Sequence, residues 1–137
     1  RPRLPGQKNP GLGLLRNIVG MLVMTCERLG LEGIFFTPSH YHLAVQSRKL
    51  LRFLEPEDEA RFRAIVAALD RLPLAPAAAA LEAGRVRDAS GEVVRYVPAA
   101  MVLPVGERLK ARVGGEAYED AVKKNAGRFD FTLASEP

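Results

Sequence analysis

The clearest pattern in the chain is a run of apolar residues at three- and four-residue spacing. It is formed by Leu14, Leu15, Ile18, Val19, Leu22, Val23, Cys26 and Leu29. This period places the apolar side chains on one wide face of a helix, and Gly30 supplies a stop signal, so the pattern predicts a helix over 12–29. A second pattern of this kind begins with Pro56 and several acidic residues and predicts a helix at about 56–71.

Short apolar runs between turn residues indicate strands. "GIFFT" at 33–37 predicts a buried strand, "LRFL" at 51–54 a second short strand, and the alternating "RFDFTLA" at 128–134 a half-buried strand. Residues 86–96 predict a β-hairpin whose turn lies at 88–92. Further helices are predicted at 41–50, 76–83 and 106–113 and before Gly127, whereas "PAAMVLPV" at 98–105 is an irregular, broken segment.

This order of elements predicts an α/β or α+β fold in which a mixed sheet is flanked by helices. The length of 137 residues suits a single domain. Within residues 1–137, we expect 1–72 to form a core half. Residues 73–137 add a helix, a hairpin, further helices and the terminal strand.

Composition narrows the class of protein. The single cysteine excludes an intrachain disulfide and a Cys-cluster zinc site. Neither a secretory signal nor a membrane-length apolar run is present, so we expect a soluble, cytoplasmic domain of bacterial type without membrane contact. Residues 1–54 hold eight Lys or Arg and two Asp or Glu, which favours an anionic ligand unless the charge is scattered over the surface. Nucleic acid is disfavoured because aromatic residues do not interleave with the basic ones.

The segment "LPGQKNPGLGLLRN" at 4–17 is a candidate anion-binding loop. It has the spacing Lys8-x-x-Gly11-x-Gly13 and runs directly into the first predicted helix. Glycines allow close approach of the backbone, and a helix start offers unpaired N–H groups. The segment lacks the Gly-Lys-Ser/Thr of a P-loop, and Arg16 stands where a dinucleotide fingerprint has its third glycine. A simple Pro/Gly turn is the alternative.

The order of this loop, helix, strand "GIFF", helix and "RFL" resembles the core of the Gcn5-related N-acetyltransferases over residues 7–54. The resemblance implies that residues 1–72 form an acetyltransferase-like core half that binds acetyl-CoA. In this family the loop holds the pyrophosphate of acetyl-CoA through backbone amides, which would be those of Gly11, Leu12, Gly13 and Leu14. Lys8 occupies the basic position of the motif, and Arg16 could add charge.

"TPSHYHLA" at 37–44 holds both histidines of the chain, directly after a predicted strand. Ligands of open α/β sheets lie beyond the carboxyl ends of strands, so His40, Tyr41 and His42 are the candidate catalytic residues. They would assist proton removal from an amine or protonation of the leaving thiolate. Ser39 is placed to cap the next helix. The alternatives are histidines that only cap or pack and histidines that ligate a metal, but further ligands are missing nearby, so no metal is expected.

Two functions follow from these observations. The first is an acyl-CoA-binding, N-acetyltransferase-like domain that acts on a small-molecule or peptide amine. The second is a non-catalytic interaction or regulatory domain of related fold, whose late hairpin and C-terminal strand "RFDFTLA" could pair with a partner or with a second copy in a homodimer. The second is favoured by Arg48, which stands where the family often carries a general-acid tyrosine. A minor third hypothesis is a metal-dependent hydrolase that uses His40 and His42.

Overall fold

The structure, a computed structural model, describes residues 12–135, with side chains described from Arg16 onward. The helices are α1 (Leu12–Leu29), α2 (Tyr41–Ser47), α3 (Pro56–Ala68), α4 (Leu74–Glu82), α5 (Glu107–Gly114) and α6 (Glu116–Ala126). The strands are β1 (Gly33–Phe36), β2 (Arg52–Phe53), β3 (Val86–Arg87), β4 (Met101–Pro104) and β5 (Thr132–Leu133). The predicted bounds of α1 are confirmed, and the fold is α+β.

The strands form two small sheets, one with the order β1-β4-β2 and one that pairs β3 with β5. Every pairing among these strands is antiparallel, so the expectation of a mixed sheet is wrong for the described part of the chain. The reason is that the chain returns through β4 between β1 and β2. Gly33 at the start of β1 lies opposite Pro104 at the end of β4, and Phe53 lies opposite Met101. β4 thus runs in the opposite direction to both of its neighbours.

The central strand β4 lies in the segment that the sequence suggested was broken. Pro98 precedes it and Pro104 is its last residue, and these prolines obscured a run whose Met101 and Val102 are completely buried. The predicted hairpin is also only partly correct. Its turn is present, held by Asp88 Oδ1, which accepts hydrogen bonds from the backbone N–H groups of Ser90 and Glu92. However, β3 pairs with β5, and Arg87 makes only an isolated bridge to Val93.

Helices cover the two faces of the three-stranded sheet. Because neighbouring residues of a strand point to opposite faces, Met101 and Val102 enter different cores. Met101 joins a cluster with residues of α2, α3 and α4, including Tyr41, Phe62 and Leu81. Val102 joins a second cluster with α5 and α6, including Val113 and Tyr118. The flanking helices that the sequence predicted are therefore present on both sides.

The outer edge of β2 is closed by side chains. The backbone N–H of Phe53 donates to Glu59 Oε1 at 3.3 Å, and the hydroxyl of Tyr118 donates to the carbonyl of Phe53 at 2.6 Å. Glu59 in turn accepts from Arg63 Nε at 2.8 Å. An unpaired strand edge is a template for pairing with other chains, and here α3 and α6 remove that possibility.

Candidate functional site

The opposite edge of the same sheet, along β1, is less completely closed in the described residues, where the thiol of Cys26 contacts the carbonyl of Gly33 at the start of the strand. β1 pairs with β4 on one side only, and alternate residues of an antiparallel strand turn their backbone groups away from the partner. The strand is short, and its side chains are unusually exposed for apolar residues: Phe35 is 57% exposed. Residues 33–37 were predicted to be a buried strand, and the exposure of Phe35 and Phe36 corrects that expectation.

Helix α1 lies beside this open edge and presents apolar side chains to solvent. Of its side chains from Arg16 onward, only Cys26 is buried; its thiol lies 3.9 Å from the carbonyl of Gly33. Met21 is 68% exposed. The other large exposed apolar residues of α1 are Ile18, Leu22, Met24 and Leu29. The wide apolar face read from the sequence is therefore real, but the described chain covers only a narrow part of it.

A groove of about 440 Å³ runs between α1, β1 and α2. Its walls are almost entirely apolar, and the amide of Gln46 and the hydroxyl of Ser47 are its polar side-chain groups. It is lined by Val19, Leu22, Ile34, Phe35, Phe36, Leu43, Gln46, Ser47, Leu50, Leu51 and Leu103. A volume of this size is in the range of pockets that hold small organic ligands.

The predicted anion-binding loop is described only in part. Lys8 and Gly11 lie outside the described residues. Leu12, Gly13 and Leu14 form the start of α1, where the backbone N–H groups lack partners within the helix. Arg16 is exposed one turn further along. At 1.5 Å per residue, the start of α1 is about 10 Å along the helix axis from Val19, the first residue of α1 that lines the groove.

The two histidines lie at the start of α2. His40 is the N-cap residue and makes no capping bond with its side chain. Ser39, which was expected to cap this helix, is instead hydrogen-bonded through Oγ to His40 Nδ1 at 2.8 Å. The rings of His40 and His42 are 5.7 Å apart between centroids, and both side chains are exposed. The sequence neighbours therefore form one accessible imidazole pair.

Tyr41 points away from this pair into the core. It is buried, its ring lies 5.9 Å from that of Phe62, and burial raises the pKa of its hydroxyl. Although its ring packs in the core, Tyr41 also lines the cavity beside the two histidines.

The imidazole pair faces a cavity of about 200 Å³ between α2 and α4. It is lined by Ser39, His40, Tyr41, His42, Ala78, Leu81, Glu82, Arg95 and Tyr96. The hydroxyl of Tyr96 donates to the carbonyl of Pro38 at 2.7 Å, and burial raises the pKa of Tyr96 to about 12. Tyr96 is thus a neutral wall that fixes the segment before the histidines.

The groove and this cavity share no lining residue, but they approach each other along α2. His42 lines the cavity, and Gln46, one helical turn later, lines the groove. Residues four apart on a helix have Cβ atoms about 5–6 Å apart. A group bound at one end of the groove would therefore lie within one helical turn of the imidazole of His42.

Sequence reasoning did not identify Glu82 and Arg95 as site residues. They come from the end of α4 and from the segment after the turn at 88–92, more than 35 residues after the histidines. The available signal was the alanine-rich sequence of α4, because side chains of that size leave room beside a helix. The sequence pattern assigned the apolar residues of the groove only to the buried faces of predicted helices and strands.

The chain matches no protein-family profile, no curated protein and no solved structure. Within residues 12–135, none of the helices combines the length and the apolar character needed to cross a membrane. No group of three His, Cys, Asp or Glu side chains suited to a metal ion is found among the described residues. The function is therefore argued from the groove and the cavity themselves.

Proposed function

We propose that the chain binds an acyl-CoA in the groove between α1, β1 and α2 and takes part in acyl transfer to an amine. The observation that carries this proposal is an apolar groove that lies about two helical turns from the start of α1, where the N–H groups have no partner within the helix. Acyl-CoA has the matching layout, since an anionic pyrophosphate is joined to a long arm that ends in the thioester.

The open edge of β1 suits such an arm. The arm contains two amides, and outward backbone N–H and C=O groups of an edge strand can pair with them. Around this edge, Phe36, Leu43 and Leu50 supply apolar contact for the methylene groups. The order loop, helix, strand and helix that suggested the acetyltransferase family supports the same assignment.

Bound acetyl-CoA would supply an activated acyl group. The chain's own contribution would be to orient that group and to manage protons. His42 is exposed and lies one turn from Gln46 at the groove, so its imidazole could accept the proton that the amine loses and return it to the thiolate that leaves when the C–S bond breaks. His40 lies beside it and can exchange that proton with solvent. Tyr41 is given no role in this scheme, because its side chain lies in the core.

Thermal denaturation with acetyl-CoA tests this function, because a ligand that binds only the folded state raises the melting temperature. ADP carries a pyrophosphate without the arm and should give a smaller rise. Leu22→Trp fills the groove from α1, and we expect it to abolish the response to acetyl-CoA. Met24→Trp is the matched control, since Met24 is exposed on α1 and does not line the groove. No rise with millimolar acetyl-CoA for the unaltered chain would overturn the proposal.

A second function, self-association, is favoured by a different observation. Exposed apolar side chains extend beyond the groove to Met21, Leu29 and Leu31, which an arm bound in the groove would not cover. Contiguous apolar surface of this kind marks interaction sites. The edge of β1 can pair antiparallel with β1 of a second copy about a two-fold axis.

Light scattering with Phe35→Lys tests this second function. We expect a dimer for the unaltered chain and a monomer for the variant. A monomer for both at every concentration would exclude it.

A further inference from the structure

The cavity beside the histidines carries two opposite charges at one end. Glu82 is the last residue of α4, and both Glu82 and Arg95 line the cavity. Arg95 Nη1 donates to the backbone carbonyl of Glu82 at 3.3 Å. This bond fixes the guanidinium beside the end of α4 and uses one of its five N–H groups. A carboxylate and a guanidinium are therefore available within one small cavity.

The floor of the neighbouring surface is made of methyl groups. A second, more open cavity of about 470 Å³ is lined by Leu74, Ala75, Ala78, Ala79, Glu82 and His42. Ala78, Glu82 and His42 line both cavities, so the two adjoin at these residues. The alanines of α4 thus create an apolar trough that ends at Glu82, which also lines the first cavity.

We propose that this site binds a small zwitterion, an α-amino acid with a short apolar side chain. The carboxylate of Glu82 receives the ammonium group, and the remaining N–H groups of Arg95 bind the carboxylate of the ligand, as guanidinium groups do. The apolar side chain lies over Ala75, Ala78 and Ala79. The site stands without the acyl-CoA proposal, because none of its residues lines the groove.

The position of the histidines agrees with this ligand. With its ammonium at Glu82, the amino group lies on the same cavity wall as His42. An imidazole there can accept hydrogen bonds from the amine without adding a second fixed negative charge. Glu82 and Arg95 are both exposed, so each charge is accessible to the opposite charge of a ligand, whereas a neutral apolar ligand would pair with neither.

Calorimetry and NMR with three probes test the proposal. L-Valine carries both charges, isobutylamine lacks the carboxylate, and 3-methylbutanoate lacks the ammonium. Because one charge-assisted hydrogen bond contributes roughly tenfold in affinity, L-valine should bind at least about tenfold more tightly than either single-charge probe. Equal affinities for the three probes, or no binding of L-valine at millimolar concentration, would overturn the assignment.

Variants assign the two charges separately. Glu82→Gln should weaken L-valine and isobutylamine by about tenfold and leave 3-methylbutanoate unchanged, whereas Arg95→Gln should do the reverse for the two single-charge probes. Ala78→Leu keeps both charges and fills the trough, so it should abolish binding of L-valine. Asp120→Asn, at an exposed position of α6, is the control and should change nothing.

A thermal melt of each variant shows that it is folded. If Ala78→Leu is folded and still binds L-valine with unchanged affinity, the trough is not the site. If acetyl-CoA fails to bind while L-valine binds as described, the acyl-CoA proposal fails and this one holds.

Discussion

Replacing Tyr118 with phenylalanine tests how the edge of β2 is held. Tyr118 is 3% exposed, and its hydroxyl donates to the carbonyl of Phe53 at 2.6 Å. Burial raises the pKa of this hydroxyl well above its usual range, so the group that is lost at pH 7 is a neutral O–H. The ring stays, and with it the contact to Arg52, whose Cζ lies 4.6 Å from the ring centroid. The variant therefore removes one hydrogen bond and little else.

The expected loss follows from the burial of the acceptor. A buried polar group left without its partner costs about 1–3 kcal/mol, against about 0.5–1.5 kcal/mol for an average hydrogen bond. For a chain of this length, 1 kcal/mol lowers the melting temperature by about 3–5 °C. Urea denaturation should show a lower midpoint with an unchanged slope, because the surface exposed on unfolding is the same.

Tyr96→Phe is the matched control. It also deletes a tyrosine hydroxyl that donates to a backbone carbonyl, that of Pro38 at 2.7 Å, but the tyrosine is partly exposed there, whereas Tyr118 is buried. We expect a loss of about 0.5 kcal/mol, near the lower end of the range. If Tyr96→Phe costs as much as Tyr118→Phe, burial is not what sets the strength of the contact at β2, and the reasoning fails.

Three other substitutions have defined outcomes. Gly33→Ala would place a Cβ 2.5 Å from the carbonyl oxygen of Leu103, so it should lower the free energy of unfolding, measured in urea, by about 1–3 kcal/mol. Gly20→Ala is the control, because a Cβ there meets open space and should stabilise α1 by about 0.5–1 kcal/mol. Equal effects of the two substitutions would contradict the packing at β1. Met101→Ala, at a fully buried position of the central strand, should cost about 2–5 kcal/mol, and a loss below 1 kcal/mol would mean that β4 is not central to the core. Hydrogen bonds from Arg63 and Arg52 lower the pKa of Glu119 from its ordinary value of 4.5 to about 2. The stabilisation that ionised Glu119 gives the folded chain is therefore complete above pH 4.5 and is lost as the pH falls toward 2. Glu119→Gln should reduce this dependence of stability on acid, and the effect should be modest because the side chain is 37% exposed. An unchanged dependence of stability on pH would contradict this prediction.

The sequence predicted α1 well because its signal is local. Eighteen residues repeat one apolar period, and Gly30 ends it with a positive φ of 67°. What covers that apolar face could not be predicted, since a period identifies the apolar side of a helix but not its partner. The strand β4 was missed for the complementary reason. Its four residues are defined by pairing with β1, from which more than 60 residues separate it. Pro98 before the strand and Pro104 at its end are residues that usually interrupt strands.

The candidate site shows the same division. His40 and His42 were found because they are neighbours in the sequence. Glu82 and Arg95 join them only through the packing of α4 against α2, for which neither residue carries a local signal. The burial of Tyr41 between two exposed histidines follows from its place on the inward face of α2, which it shares with Ala44. That face could be assigned only once the partners of α2 were known.

The closure of β2 has a consequence for the partly unfolded chain. Glu59 and Tyr118 come from α3 and α6, and these helices pack closely against each other. If α6 detaches, the carbonyl of Phe53 loses its hydrogen-bond donor. The sheet then has an unpaired backbone group at the edge of β2 as well as the edge of β1. A sheet with one unpaired edge strand can pair with the edge of one other sheet, whereas a sheet with two unpaired edge strands can be extended at both sides by successive copies. If the chain self-associates through β1 as proposed, the docking of α6 would limit the assembly to a pair, because it keeps the edge of β2 closed.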